Sequence, residues 1–216
     1  MAAVAAAAAA PAVAAQREHC EYCFATLEAA LLGAEAPAAR FAGLDARAPL
    51  FVTWKKRDGR GELALRGCIG NFSDLQLVEG LREYALCSAL SDNRFDPVSA
   101  DELPLLEVSV SLLVDFQPAT DAFDWTVGEH GIRISFLDPV TRTTRSGTFL
   151  PEVAPEQGWD KRATLDALVR KTGCRGLVTD DLLASIKLVR YRSSKTSLSW
   201  DEYVQVRDSI APPATS

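Results

Sequence analysis

Arg66 and Cys68 stand two residues apart in the segment Leu65-Arg66-Gly67-Cys68-Ile69-Gly70-Asn71. In an extended strand that spacing places both side chains on one face, about 6.5 to 7 Å apart along the backbone. A guanidinium so close favours the thiolate, the form of cysteine that attacks electrophiles. Ser73 and Gln76 have the spacing of a capping box, and Phe72 and Leu77 that of its hydrophobic staple, so a helix is predicted to open at Ser73. Its free amides would lower the thiol pKa further or bind an anion. Gly67 and Gly70 let a backbone or a ligand approach closely, which makes Arg66, Gly67, Gly70 and Asn71 candidate ligand-binding positions. A glycine-flanked cysteine on a sheet is equally a packing residue, and the residue types leave both readings open.

A nucleophilic thiol needs a base, and the chain has two histidines, His19 and His130. His130 opens the strand start His130-Gly131-Ile132, from which an imidazole can project into a cleft, whereas His19 belongs to a helix beside an alanine-rich stretch. Glu152, in Phe149-Leu150-Pro151-Glu152-Val153, could orient that imidazole or act alone. Cys68, His130 and Glu152 are therefore the catalytic candidates. Cys20 and Cys23 have metal-ligand spacing, but no second pair follows to complete a tetrahedral site, so core packing is expected there and no metal. Neither phosphate-binding glycine loop, zincin helix nor lipase-type elbow occurs, and no cofactor is expected.

The elements that must position these residues follow from periodicity. Gln16 to Leu32 is predicted as a helix with Cys20, Cys23, Phe24, Leu27 and Leu31 on one face and Gly33 as its stop. Leu50–Lys56 and Glu62–Ile69 form a hairpin with a basic tip at Arg57-Asp58-Gly59-Arg60-Gly61. A helix runs from Ser73 to about Leu90, and Ser99 with Glu102 caps a short turn before Pro104. Leu106, Val108, Val110, Leu112 and Val114 alternate along one long strand. His130–Phe136 and Thr141–Phe149 pair around Asp138-Pro139, a helix covers Lys161 to Thr172, and a last strand lies near Ser185–Arg192. Strands follow strands more often than they alternate with helices, so the fold class is α+β, a mainly antiparallel sheet flanked by helices in two closely packed subdomains. Residues 1–15 are expected to be a disordered alanine-rich tail, 16–204 a single domain, and 205–216 a second disordered tail.

Composition excludes some functions. The chain has 216 residues and a net charge of −6, which repels a phosphate backbone, and its clusters Lys55-Lys56-Arg57-Arg60 and Lys187-Arg190-Arg192-Lys195 lack interleaved aromatics, so nucleic-acid binding is not expected. Five cysteines, an odd number without a secretory signal, indicate a reducing compartment, cytoplasmic or nuclear. No apolar stretch is long enough to predict a membrane span.

Taken together, Phe51-Val52-Thr53-Trp54-Lys55-Lys56, Leu65-Arg66-Gly67-Cys68-Ile69-Gly70, Asp92-Asn93-Arg94-Phe95-Asp96-Pro97-Val98, His130-Gly131-Ile132 and Gly147-Thr148-Phe149-Leu150-Pro151-Glu152-Val153 resemble the AMMECR domain, in that family's own order, across Cys20 to Tyr203. The resemblance implies a two-subdomain α+β fold with the Leu-Arg-Gly-Cys-Ile-Gly segment near a cleft, and it brings no agreed activity. Prokaryotic relatives are encoded beside, or fused to, Memo-type and radical-SAM proteins, which implies a shared pathway and a Memo-like partner. Two functions stand side by side: thiol-dependent group transfer or hydrolysis, and a non-catalytic module that binds a small molecule or partner through the same cleft.

Overall fold

A computed structural model describes residues 14–210. The alanine-rich stretch before residue 14 and the last six residues lie outside them. Two compact units form, one from the chain up to Leu112 together with the segment from Ser194 onward, the other from Leu113 to Ser193. The α+β class holds, with antiparallel strand pairing in each unit.

In the first unit, α1 (Arg17–Leu32) ends at Gly33, which takes the left-handed conformation (φ 67°) that a helix stop requires. β1 (Arg47–Arg57) and β2 (Leu63–Gln76) make the predicted antiparallel hairpin. α2 (Leu77–Leu90) returns over it, and β1 pairs on its other side with β3 (Leu106–Pro118). Leu50, Val52, Trp54, Val108, Val110 and Leu112 are buried beneath the helices, as alternation requires when one sheet face is covered. Trp54 Nε1 donates to the Ala85 carbonyl at 2.9 Å, and Phe24 meets the Trp54 ring edge-on at 5.0 Å. Cys20 and Cys23 lie wholly inside this core, where burial pushes the Cys20 thiol up to about 12.

The second unit holds β4 (Gly131–Leu137) between β5 (Thr144–Phe149) and the first part of β6 (Lys187–Ser199). After the short α3 (Val153–Gln157) come α4 (Lys161–Lys171) and α5 (Asp180–Ser185). Ile132, Ile134, Phe136, Leu165, Leu168 and Leu183 form its core. Gly131 is required by packing, because a Cβ there would come within 2.4 Å of the Tyr191 ring on the paired strand.

Three expectations are corrected. α2 begins at Leu77 and not at Ser73, since β2 continues to Gln76 through pairing of Leu75 and Gln76 with Ala48 and Arg47. Long-range strand pairing outcompetes the local cap, and the Ser73 amide donates instead to Asn71 Oδ1 at 2.8 Å. The last strand extends to Ser199. The chain then forms α6 (Trp200–Ile210), reaching into the stretch expected to be a tail. Ser199 and Glu202 box its start, and Trp200 and Tyr203 both pack on Phe24. No helix among the described residues is long and apolar enough to cross a membrane.

His19, in the first turn of α1, is fully buried: its Nδ1 accepts the Gln16 amide at 3.0 Å, and its ring stands edge-on to Phe41 at 4.7 Å. Burial lowers its pKa, Glu18 opposing weakly. A histidine whose folded pKa lies below its unfolded value contributes stability above about pH 6.5 that is lost as pH falls below it, at up to about 1.4 kcal/mol per pH unit. His130, also lowered by desolvation, acts in the same direction. Urea midpoints between pH 7 and pH 5 are therefore expected to fall for the wild type and to fall less steeply for His19→Gln. Equal slopes in the two proteins would remove His19 as a source of acid lability.

Candidate functional site

Cys68 lies on β2, the edge strand of the sheet, opposite Thr53 of β1. Its backbone N–H donates outward to Asp92 Oδ2 at 2.9 Å, and its carbonyl accepts from Arg94 Nη2 at 3.1 Å. Thr53 and Cys68 are thus a pair without mutual backbone hydrogen bonds, the arrangement that brings opposed side chains closest. Thr53 Oγ1 donates to the thiol at 3.1 Å. Thr53 pairs in turn with Ser109, whose hydroxyl lies 2.7 Å from that of Ser197, so hydroxyl-bearing residues line up beside the partly exposed thiol.

Asp92 and Arg94 do for this edge what a neighbouring strand would do, since a carboxylate accepts the free N–H and a guanidinium donates to the free C=O. They are themselves joined by a bidentate pair, Nε to Oδ1 at 2.9 Å and Nη2 to Oδ2 at 2.6 Å. The bonds from Arg94 hold the Asp92 carboxyl far below the usual carboxylate range although burial opposes them. The Leu-Arg-Gly-Cys-Ile-Gly and Asp-Asn-Arg-Phe-Asp-Pro segments are therefore two halves of one construction.

Arg66 completes it, and here the expected role changes. The hairpin register passes from Trp54–Gly67 to Lys55–Leu65, which leaves Arg66 as the extra residue of a bulge, a device that re-aims a side chain. Its Nε and Nη2 grip Glu102 at 2.8 and 3.0 Å, while Nη1 and Nη2 donate to the carbonyls of Asp96 and Pro97 at 2.6 and 3.3 Å. Lys56 reaches the same carboxylate at 3.3 Å, and Glu102 is held down at about 2, chiefly by the bond from Arg66. Arg66 is thus committed to an acid 36 residues away and to the 96–97 backbone. Glu102 also accepts from the Ser99 hydroxyl at 3.4 Å, at the head of the short turn Ala100–Leu105 expected there. The helix start expected beside the thiol is also not there, because the part of α2 next to this strand is its C-terminal half: a Cβ on Gly67 would lie 1.9 Å from the Ser88 carbonyl oxygen. Gly70 likewise admits the protein's own atoms, Leu50 O and the Phe51 ring, and the Asn71 amide donates to Tyr84 Oη at 3.0 Å.

The remaining candidates belong to the second unit. His130 borders a small depression of about 170 Å³ with Asp115, Gln117, Arg190 and Arg192. Its Nδ1 accepts the Thr126 amide at 3.0 Å, which leaves Nε2 as the protonated nitrogen of the neutral ring, a donor and not a base. Glu152 stands at the start of α3 and makes no hydrogen bond to His130. Arg190 and Arg192, expected only as solvated charge, are paired with Asp124 and Glu129.

The chain is similar to other known proteins. It matches the AMMECR1 family over residues 20–196. The chain belongs to the AMMECR1 family. An uncharacterized protein of Arabidopsis thaliana is 47% identical over 192 residues, covering 89% of each chain, and one of Saccharomyces cerevisiae is 37% identical over 174 residues, covering 71% of this chain and 69% of the yeast protein. A crystal structure of an uncharacterized protein from Pyrococcus horikoshii superposes with a TM-score of 0.65 at 26% identity, covering 83% of this chain and 89% of that one. Within this AMMECR1-family chain, sequence reasoning missed Asp92, Arg94 and Glu102 as partners of the motif. The signal was the composition of the Asp92–Val98 segment, which brings an acid and a base to a loop that ends beside β2.

Proposed function

We propose that this AMMECR1-family chain is a non-catalytic binding module whose recognition surface is the turn Asp92–Pro97 and the strand it caps. One observation carries the reading: Arg66, Asp92 and Arg94 of the signature segments are engaged with one another, with Glu102 and with the backbone, so they fix a turn instead of facing a substrate. The turn is closed by Phe95 N to Asp92 O at 3.0 Å and Val98 N to Ala89 O at 2.9 Å, with Arg66 holding its far side. Asn93 and Arg94 are left exposed on a surface fixed in advance, beside an open depression of about 500 Å³ that Lys56, Phe95 and Glu102 also line. Such pre-organisation lowers the ordering cost of binding. A Memo-like protein is the partner that family association supplies, and five free cysteines support a reducing compartment, cytoplasm or nucleus.

Titrating a purified Memo-type protein of the same organism into the wild type, Asn93→Ala and Cys68→Ser by calorimetry tests this. Asn93→Ala is expected to weaken binding about tenfold or more, as loss of a central polar contact does, and Cys68→Ser to leave it unchanged. Heat that is indifferent to Asn93, or absent, would overturn the proposal. The thiol-enzyme reading draws on the Thr53 hydroxyl aimed at Cys68 Sγ. It is favoured if iodoacetamide modifies Cys68 at neutral pH faster than a free thiol, with the other four cysteines as internal controls.

A further inference from the structure

Val140 and Leu177 are the most exposed large aliphatic side chains among the described residues, at 74% and 84% of their full surface. Both belong to the second unit and lie on adjoining segments, since a Cβ on Gly176 would touch Val140 Cγ2 at 3.8 Å and Pro139 Cγ at 3.9 Å. Leu137, at the end of β4, adds a third exposed aliphatic residue. Scattered apolar residues on a surface need no explanation, but neighbouring ones on a rigid support do.

The support here is rigid. Asp138 is buried, and its Oδ1 accepts the amides of Val140 at 2.9 Å and Thr141 at 3.0 Å, while Oδ2 accepts from Arg145 Nε. Asp138 N bonds to Thr143 O and Arg142 N to Asp138 O, both at 2.9 Å, which closes the turn. Arg145 Nη1 then ties the assembly to the Thr172 carbonyl at the end of α4 at 2.9 Å. A buried carboxylate, a half-buried arginine link and a closed turn hold Val140 out in water, where it contributes nothing to the core. Beneath it is an open depression of about 520 Å³ whose charged lining is Asp138, Arg145 and Arg175. The first two neutralise each other. Arg175, and Arg142 on the turn itself, have no ion-pair partner among the described residues, so this rim is locally positive on a chain whose net charge is −6.

We propose that the 138–143 turn and the 174–177 segment form a docking surface for a short acidic and aliphatic segment of a partner protein, separate from the Asp92–Pro97 turn. An aliphatic side chain of the partner would cover Val140 and Leu177, and flanking carboxylates would meet Arg142 and Arg175, the combination of apolar anchor and charged rim that interfaces use.

Panning displayed random dodecapeptides against the full-length chain, then measuring the enriched peptides by fluorescence anisotropy, tests the surface. Enriched sequences are expected to place Asp or Glu beside Leu, Ile or Phe. Their affinity should fall at least tenfold in the double variant Val140→Ser/Leu177→Ser and in Arg142→Glu/Arg175→Glu, and should weaken as salt is raised. All four positions are exposed and leave the Asp138 frame intact, so an unchanged circular dichroism melt accompanies the loss. The proposal is overturned by an absence of enrichment, by neutral or basic winners, or by affinity that ignores both variants. A wild-type dimer in sedimentation that Val140→Ser/Leu177→Ser dissolves would assign the surface to a second copy of the chain and overturn it equally.

Discussion

Replacing Gly67 with alanine is expected to destabilise the first unit by about 3 kcal/mol or more, the range reached when a methyl is forced into closed packing against backbone. The added Cβ would lie 1.9 Å from the Ser88 carbonyl oxygen and 3.0 Å from its carbon. Neither neighbour is the loose end of a side chain. Relief requires α2 to lift from the sheet, and α2 is fastened there by Trp54 Nε1 on Ala85 O at 2.9 Å and by Ser88 Oγ, which donates to Val52 O at 2.8 Å and accepts the Ile69 amide at 2.9 Å. Lifting it would loosen those bonds and expose Leu81 and Ala85, both fully buried. Gly59→Ala at the hairpin tip is the control, because a Cβ there meets nothing within 4 Å, and its midpoint is expected to stay within about 0.5 kcal/mol of the wild type. Urea denaturation at pH 7 separates the two. A Gly67→Ala protein as stable as Gly59→Ala would mean that α2 does not press on β2 as closely as this structure has it.

That contact also shows where sequence reading stops. α1, the β1–β2 hairpin and the alternating strand β3 were open to inspection because their signals are local: a 3.6-residue stripe ending at Gly33, a Gly-rich tip, apolar residues at every second position. The motif glycines pointed correctly to close approach, yet only the folded chain reveals that Ser88 and Phe51 do the approaching. Two capping boxes illustrate the same limit from both sides. Ser73–Gln76 is a sound local signal that strand pairing with Arg47 and Ala48 overrides. Ser199–Glu202 is an equally sound one that nothing contests, and a closer reading of it together with Trp200 and Tyr203 would have found α6. For the candidate site the loss was greater. Spacing along a strand put Arg66 beside Cys68, but a bulge and an acid 36 residues downstream decide where its guanidinium goes. No pattern within a short window carries that information.

Asp92→Ala is the second change expected to have a large effect, at about 3 kcal/mol, because it strips acceptors from several donors at once. The carboxylate, 6% exposed, receives the Cys68 amide at 2.9 Å, the Arg94 amide at 3.2 Å and both arms of the Arg94 guanidinium. Arg94 is half exposed and can turn to water, so most of the cost falls on the Cys68 N–H and on the turn that Asp92 anchors. Asp92→Asn is expected to be nearly as costly, since an amide of the same shape offers one acceptor and presents two N–H groups to donors already there. pH gives the charged hydrogen bonds a signature of their own. A carboxylate whose folded pKa lies below its unfolded value contributes stability that is present above about pH 4 and lost as pH falls toward the folded pKa. The gap between wild type and Asp92→Asn should therefore be full at pH 7 and narrow steadily below pH 4, measured as urea midpoints in parallel titrations. If Asp92→Ala costs less than about 1 kcal/mol at pH 7, the edge of β2 is held by something other than this pair. The rigidity on which the Asp92–Pro97 recognition surface depends would then have lost its physical basis.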